Sequence, residues 1–336
     1  MDKIKVGVVG YGTIGKRVAD AVMLQKDMEL VGVTAHSYNY KMLVAHQKGI
    51  PIYKIGEDSD LKSNGLKIEG DVNDLLKEVD VIVDAVPKKM GKENQENLYK
   101  PAKVKAIFQG GEKHDSVECS FTAQCNYNEA VGKNYVRVVS CNTTGLNRTL
   151  HAVDKAFGIQ SVHATMIRRG ADPWDIRHGP INAIVPVLEL PSHHGPDVRT
   201  VLKDMEIFTT ALSVPSTLMH LHTITADLKQ KVDASDVLKL YDKTTRVRVV
   251  RNSENVRSTA EIMEMAKDLG MSRGDMPEIC IWEEGVGTHQ KKLFYMQAIY
   301  QESDVVPENV DAIRAVMGFK DGKKSIELTN KNMGIK

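Results

Sequence analysis

The chain has 336 residues, of which 42% are hydrophobic and 26% charged, with a net charge of +1. At roughly 100–200 residues per domain this predicts two domains with substantial cores and excludes a largely disordered chain. The near-neutral charge gives no general basis for binding nucleic acid or an anionic membrane, and no apolar run approaches the roughly 20 residues needed to span a bilayer.

Ile4-Lys5-Val6-Gly7-Val8-Val9 predicts a buried strand, followed by a glycine turn, a helix from about Thr13 to Leu24 and a second strand from Leu30 to Thr34. Short apolar runs rich in β-branched residues recur at Val79–Val86, Val104–Phe108 and Tyr135–Ser140. Such runs alternating with helical stretches imply a doubly wound (Rossmann) parallel sheet covered on both faces, over residues 1–139. After Gly158 the pattern changes. Strands are expected at Ser161–Arg168, Ile181–Leu190, Glu206–Val214 and Arg246–Arg251, with helices at Ser235–Tyr241 and Ser258–Leu269. That pattern predicts an α+β domain with a mainly antiparallel sheet, over residues 140–300. Two C-terminal helices, about Pro307–Met317 and Lys323–Asn332, are expected to pack back on the first domain within residues 301–336.

The N-terminal Met1-Asp2-Lys3-Ile4-Lys5 has no secretory apolar core, and no two of Cys119, Cys125, Cys141 and Cys280 have CxxC spacing. A cytoplasmic protein with reduced thiols is the expectation. Gly10-Tyr11-Gly12-Thr13-Ile14-Gly15 matches GxGxxG directly after a strand and at the opening of a helix. Gly10 permits the tight turn, Gly12 the approach of a pyrophosphate and Gly15 close helix–strand packing, so a dinucleotide is expected at the helix N-terminus. The second strand ends Val33-Thr34-Ala35-His36-Ser37 with no acid. A carboxylate there would repel a 2′-phosphate, so its absence predicts that NADP is accepted alongside NAD. Lys41 is a candidate partner for that phosphate, and a solvated surface lysine is an equal reading.

Cys141 lies between a buried strand and a helical pattern, in Ser140-Cys141-Asn142-Thr143-Thr144-Gly145-Leu146. A helix N-terminus favours the reactive thiolate, and Asn142, Thr143 and Thr144 add donors suited to an oxyanion or a phosphate. Cys280 alternates within an apolar strand and reads as core, and Cys119 and Cys125 read as bystanders in a polar loop or helix. No metal site is expected. His193-His194 has no third ligand at standard spacing, and a phosphate contact from the glycine turn at Gly195 is the preferred reading. Arg168-Arg169 ends a strand, where guanidinium groups suit phosphate. In a strand the two point to opposite faces, so one binds ligand while the other pairs with an acid such as Asp172, or both make structural ion pairs. His220 and His222 alternate in one strand and the sequence does not choose between them as a base.

The order GYGTIGKRVADA, FQGGE, SCNTTGL, IRRGADP, PSHHGPDV, LMHLHT and QESDVVPENVDAIRA, running from about residue 4 to 334, resembles archaeal-type glyceraldehyde-3-phosphate dehydrogenase. The resemblance implies phosphorylating oxidation of D-glyceraldehyde 3-phosphate to 1,3-bisphosphoglycerate with NAD(P)+ and inorganic phosphate, and a homotetramer. It implies Cys141 as nucleophile and His220 as base. Ser140, Asn142, His194 and Gly195 would meet the substrate or its phosphates, and Thr13, Ile14, Gly111, Arg169 and Gln301 the cofactor. The competing readings are a semialdehyde or acyl-phosphate dehydrogenase with the same cysteine chemistry, a non-catalytic dinucleotide-binding regulator, and a nucleic-acid binder.

Overall fold

The structure is a computed structural model that describes residues 2–56, 59–87, 90–109, 111–171, 179–180 and 182–336. The chain divides into two compact units, residues 1–139 with 306–334, and residues 140–305 with 335–336. The second unit thus runs five residues beyond the expected boundary at 300. No helix among the described residues is long and apolar enough to cross a membrane.

In the first unit the strands are β1 (Ile4–Val9), β2 (Met28–Ala35), β3 (Ile52–Lys54), β4 (Gly70–Asp71), β5 (Val81–Asp84), β6 (Lys105–Phe108), β7 (Cys119–Phe121) and β8 (Tyr135–Val138). They form one sheet in the order β4-β3-β2-β1-β5-β6-β8-β7, every pairing parallel. Successive buried residues such as Val6, Val8 and Val9 reflect cover on both faces, as a parallel sheet requires. The order reverses between β1 and β5, and ligands of doubly wound sheets bind at such a switch point. The helices Val306–Val316 and Gly322–Met333 belong to this unit. Arg314 secures them. Its buried guanidinium donates to both Asp27 oxygens at 2.7 and 2.8 Å, to Gln25 Oε1 at 2.8 Å and to Thr329 Oγ1 at 2.6 Å. A buried charge is tolerable only when its donors are satisfied in this way.

In the second unit the strands are β9 (Ile159–Arg169), β10 (Val185–Pro186), β11 (Ile207–Val214), β12 (His220–Leu228), β13 (Val247–Val250), β14 (Ile279–Trp282), β15 (Gly287–His289) and β16 (Lys292–Ile299). Their order is β10-β11-β9-β12-β16-β14-β13, with β15 beside β16. Pairs β9–β11 and β13–β14 are parallel and the rest antiparallel, so the sheet is mixed and mainly antiparallel. One face packs Ala164, Met166, Ile224, Ala226 and Tyr295 into a core with Leu146, Leu150 and Val153 of the helix Cys141–Phe157. The strict alternation of burial along β12 records that one-sided cover.

Two local expectations change. The strand expected over Ile181–Leu190 is reduced to the two residues of β10, and Ile181 itself lies outside the described residues. Ile184, Leu188 and Leu190 are exposed, because this stretch lies at the sheet edge and no layer of the described residues covers it. Cys119 is no loop residue. It opens the buried edge strand β7, next to a helix, Ala123–Ala130, that carries Cys125.

Candidate functional site

In the first unit the glycine loop connects β1 to the helix Gly15–Met23. Gly10 adopts φ +90°, and a Cβ on Gly15 would lie 1.9 Å from the Gly10 carbonyl oxygen, so no other residue fits there. A Cβ on Gly12 would meet nothing within 4 Å, which leaves open space where a pyrophosphate is expected. Thr13 and Ile14 form the turn into the helix, with the Thr13 carbonyl accepting from Arg17 Nη1 at 2.9 Å. Thr34 Oγ1, at the end of β2, accepts from the Gly10 N–H at 3.1 Å and so braces the loop from beneath. The chain continues from β2 through His36 and Ser37, and no acid closes the strand. Asp60 Oδ2 accepts from the Tyr38 N–H, just past the strand, at 2.7 Å. Lys41 sits at the start of the helix Tyr40–Gln47 with Nζ 5.8 Å from the Tyr40 ring centre. Gly111, with φ +92°, follows β6, and Gly110 lies outside the described residues.

In the second unit Cys141 is the first residue of the helix Cys141–Phe157, with Ser140 as its N-cap. Extended backbone at Ser140 (φ −63°, ψ 161°) feeds directly into the helix, and Ser140 Oγ accepts from the Thr143 N–H at 3.4 Å. Thr143 Oγ1 donates to Asp197 Oδ2 at 2.7 Å, which leaves the Ser140 hydroxyl to donate to Thr143 Oγ1 at 2.9 Å. Ser140 and Thr143 therefore serve the cap, and Asp197, to which the sequence reading gave no role, closes it.

Burial pushes the Cys141 thiol up to about 12 and the Asp304 carboxylate adds to this, while the backbone N–H of Asn142 and the Arg169 charge oppose it. The helix N-terminus is present, but desolvation outweighs it.

A cavity of about 320 Å³ is bordered by Asn142, the residue after Cys141, with Arg168, Arg169, Gly170, Ser213 and His220. Both arginines border it because β9 ends there. Among the described residues no carboxylate pairs with Arg168. It donates to Ser213 Oγ at 3.4 Å, and its buried Nε has no partner among the described residues. Asp172, named as a partner for one of the two arginines, lies outside the described residues. The cavity is thus rich in donors and suited to an anion.

His220 and His222 share the buried face of β12 and differ in their bonds. The Arg169 backbone N–H donates to His220 Nδ1 at 3.0 Å, so the neutral ring carries its proton on Nε2. His222 uses both nitrogens. It donates from Nε2 to Asn142 Oδ1 at 2.8 Å and accepts at Nδ1 from Gln297 Nε2 at 3.2 Å. His194 is also buried, between Ser192 Oγ and Asn142 Nδ2, and the Gly195 N–H donates to Thr209 Oγ1 at 2.9 Å. Both residues therefore make contacts within the protein. Gln301 differs: its amide is buried and neither Oε1 nor Nε2 has a partner among the described residues, as suits a group awaiting a ligand.

Burial lowers all three histidines: His220 well below the usual range, His222 to about 3, and His194, with help from His193, His222 and Arg168, to about 2. As pH falls through about 6.5 the unfolded chain takes up protons at these rings and the folded chain does not. Stability is therefore lost on acidification, by about 1.4 kcal/mol per pH unit for each ring, from about 6.5 down to the ring's folded value. Denaturant unfolding at about pH 7 and about pH 5 is expected to differ by about 4 kcal/mol from His194 and His222 alone, and a difference under about 1 kcal/mol would contradict their burial as neutral rings.

The geometry has relatives. Residues 140–289 match the profile of the glyceraldehyde 3-phosphate dehydrogenase C-terminal domain, and residues 4–108 that of the dihydrodipicolinate reductase N-terminus. Proteins named glyceraldehyde-3-phosphate dehydrogenase are 52% identical in Methanococcoides burtonii (100% of both chains), 52% in Methanothermobacter thermautotrophicus and 51% in Pyrococcus abyssi (99% of both chains in each case). Among solved structures, aspartate semialdehyde dehydrogenase II from Vibrio cholerae matches with a TM-score of 0.68 at 10% identity, covering 94% of this chain and 99% of that one, a likeness of fold alone. A Rossmann unit with an open glycine loop, a helix-capped cysteine whose neighbour Asn142 borders a donor-lined cavity, and full-length relatives at half identity lead to one statement: the chain belongs to the glyceraldehyde-3-phosphate dehydrogenase family.

Proposed function

We propose that this protein oxidises D-glyceraldehyde 3-phosphate with NAD(P)+ and inorganic phosphate, giving 1,3-bisphosphoglycerate, NAD(P)H and a proton, through a thioester on Cys141. The observation that carries this reading is Arg168, a guanidinium without a carboxylate partner among the described residues, in a donor-lined cavity next to the helix that Cys141 opens. In the second unit Cys141 Sγ bonds to the aldehyde carbon while the carbonyl π electrons move to oxygen, which takes up the thiol proton to give a neutral hemithioacetal. His220 meets that oxygen first as an Nε2–H donor. To take a proton there its ring must shift its own proton to Nδ1 and give up the Arg169 N–H, at a cost of about 1 kcal/mol, small beside a catalytic barrier. Bound NAD(P)+ supplies the hydride acceptor. Loss of hydride from the hemithioacetal carbon, with the hydroxyl proton passing to His220 Nε2, leaves the thioester. A phosphate oxygen, gripped by Arg168, then attacks that carbonyl and the C–S bond breaks, the departing thiolate taking back the proton held by His220.

In the first unit Gly10, Gly12, Thr13, Ile14 and Gly15 would hold the pyrophosphate, with Thr34 bracing them, and Gly111 would border the same dinucleotide. Arg169 and Gln301 of the second unit are further cofactor candidates. Residues 1–139 with the C-terminal helices thus serve as the cofactor domain and the rest as the catalytic domain. The acid-free end of β2 supports use of NADP+ at least as readily as NAD+. A semialdehyde dehydrogenase such as the Vibrio cholerae protein shares the fold only, and the full-length relatives favour the phosphorylated aldehyde.

The protein is read as a cytoplasmic homotetramer. Support for association comes from the open face of the second sheet, where Phe208, His163, Thr225 and Phe294 align across four strands and Met296 extends the row.

The test is cofactor reduction followed by nicotinamide absorbance, with D-glyceraldehyde 3-phosphate and with or without inorganic phosphate. Phosphate-dependent reduction is expected with both cofactors, and Arg168→Met is expected to raise the KM for phosphate or for the substrate roughly 10- to 100-fold. Failure of an intact, cofactor-binding protein to reduce either cofactor would overturn the reading, and tenfold poorer use of NADP+ would overturn the cofactor inference.

A further inference from the structure

Asn142, the residue after the nucleophile, lies between two histidines that the mechanism above leaves unused. On one side are His222 and Gln297, and on the other His194 and Ser192. Past His194, Ser192 Oγ and Thr209 Oγ1 are 2.9 Å apart, and Thr209 Oγ1 is 2.9 Å from the Ser192 carbonyl oxygen. All six side chains are at most 5% exposed, so no hydrogen bond can be borrowed from bulk water.

Counting hydrogens fixes every direction. Ser192 Oγ with His194 Nδ1, Ser192 Oγ with Thr209 Oγ1, and Thr209 Oγ1 with the Ser192 carbonyl make three contacts. The two hydroxyls bring only two hydrogens, and the Gly195 N–H that also reaches Thr209 Oγ1 is spent on its own bond. The third hydrogen must come from His194 Nδ1–H. A neutral His194 then has a bare Nε2, and only the amide nitrogen of Asn142 can face it. Asn142 Oδ1 is left on the other side, where it accepts from His222 Nε2–H, and His222 Nδ1 in turn accepts from Gln297 Nε2. Turning the Asn142 amide over would strand one of the short oxygen–oxygen contacts without a hydrogen. Burial keeps both rings neutral across the working pH range, as the scheme requires.

We infer that His222 and His194 are positioning residues that hold Asn142 by opposite tautomers, Nε2–H in His222 and Nδ1–H in His194, so that its acceptor end is tied to His222 and its amide N–H is what it offers to the anion cavity. Asn142 then joins Arg168 as a donor, and the carbonyl oxygen that would repel phosphate is kept away from it. This rests on reading the cavity as the anion site. It also gives His194 a role through Asn142, in place of direct contact with the substrate.

The experiment is nitrogen NMR of the histidine-labelled full-length protein, joined to steady-state kinetics. One buried ring, absent in His194→Gln, is expected as the Nδ1–H tautomer. Another, absent in His222→Gln, is expected as Nε2–H, and neither should protonate down to about pH 5. His222→Leu is expected to raise the KM for inorganic phosphate roughly tenfold or more with a smaller effect on kcat, whereas His222→Gln, which offers both a donor and an acceptor, stays within about threefold. An Nε2–H tautomer at His194, protonation of either ring above about pH 5, or identical behaviour of the Leu and Gln variants overturns the inference. An unchanged phosphate KM in Arg168→Met overturns the anion-site reading and this inference with it. A raised KM there beside an unchanged His222→Leu overturns the positioning inference alone.

Discussion

Cys141→Ser is expected to lower turnover roughly 10³-fold or more while cofactor affinity stays within about twofold. The substitution changes one atom at the first position of a helix whose cap is made by Ser140, Thr143 and Asp197. The fold is therefore retained, and the glycine loop that would hold the cofactor belongs to the other unit. What is lost is chemical. A hydroxyl is a far weaker acid and nucleophile than a thiol, and an oxygen ester gives up its acyl group to phosphate less readily than a thioester. Steady-state rates together with titration of NADP+ binding separate the two effects. Substantial turnover in the serine variant would remove the covalent mechanism.

His220→Asn is expected to lower kcat about 10²- to 10⁴-fold, whereas His222→Gln costs less than about tenfold. The asymmetry follows from the hydrogen bonds. His222 spends both nitrogens inside the protein, on Asn142 and Gln297, whereas His220 spends only Nδ1, on the Arg169 N–H, and borders the cavity. Pre-steady-state measurement of hydride transfer checks this directly. Equal losses in the two variants would move the acid–base role away from His220.

Much of this was legible in the sequence because the decisive signals are local. The glycine loop is readable since each glycine answers a distinct steric demand, seen most sharply at Gly15. The helix after Cys141 is readable because Leu146, Leu150 and Val153 repeat at helical spacing. The pairing of His220 with His222 on one face follows from strand alternation. The rest depends on contacts that sequence spacing does not encode. Asp197 reaches Thr143 across 54 residues and His222 reaches Asn142 across 80, so neither role could be assigned in advance. The apolar alternation through Ile184, Leu188 and Leu190 imitates a half-buried strand, but this edge segment has nothing among the described residues to pack against. Cys119 was read from the polar residues around it, although the strand it opens is buried. The Cys141 thiol followed the helix-terminus argument only in part, because desolvation depends on the depth of the site and not on its position in a helix.

The central claim is that Cys141 carries the acyl group, and intact-protein mass spectrometry tests it most directly. The protein is mixed with D-glyceraldehyde 3-phosphate and NADP+ in the absence of inorganic phosphate, quenched in acid, and its mass compared before and after phosphate is added. The account predicts a single phosphoglyceroyl adduct that maps to Cys141, is absent from Cys141→Ser, and disappears on addition of phosphate. NADPH formation with no adduct on Cys141, or an adduct that survives phosphate, would contradict it.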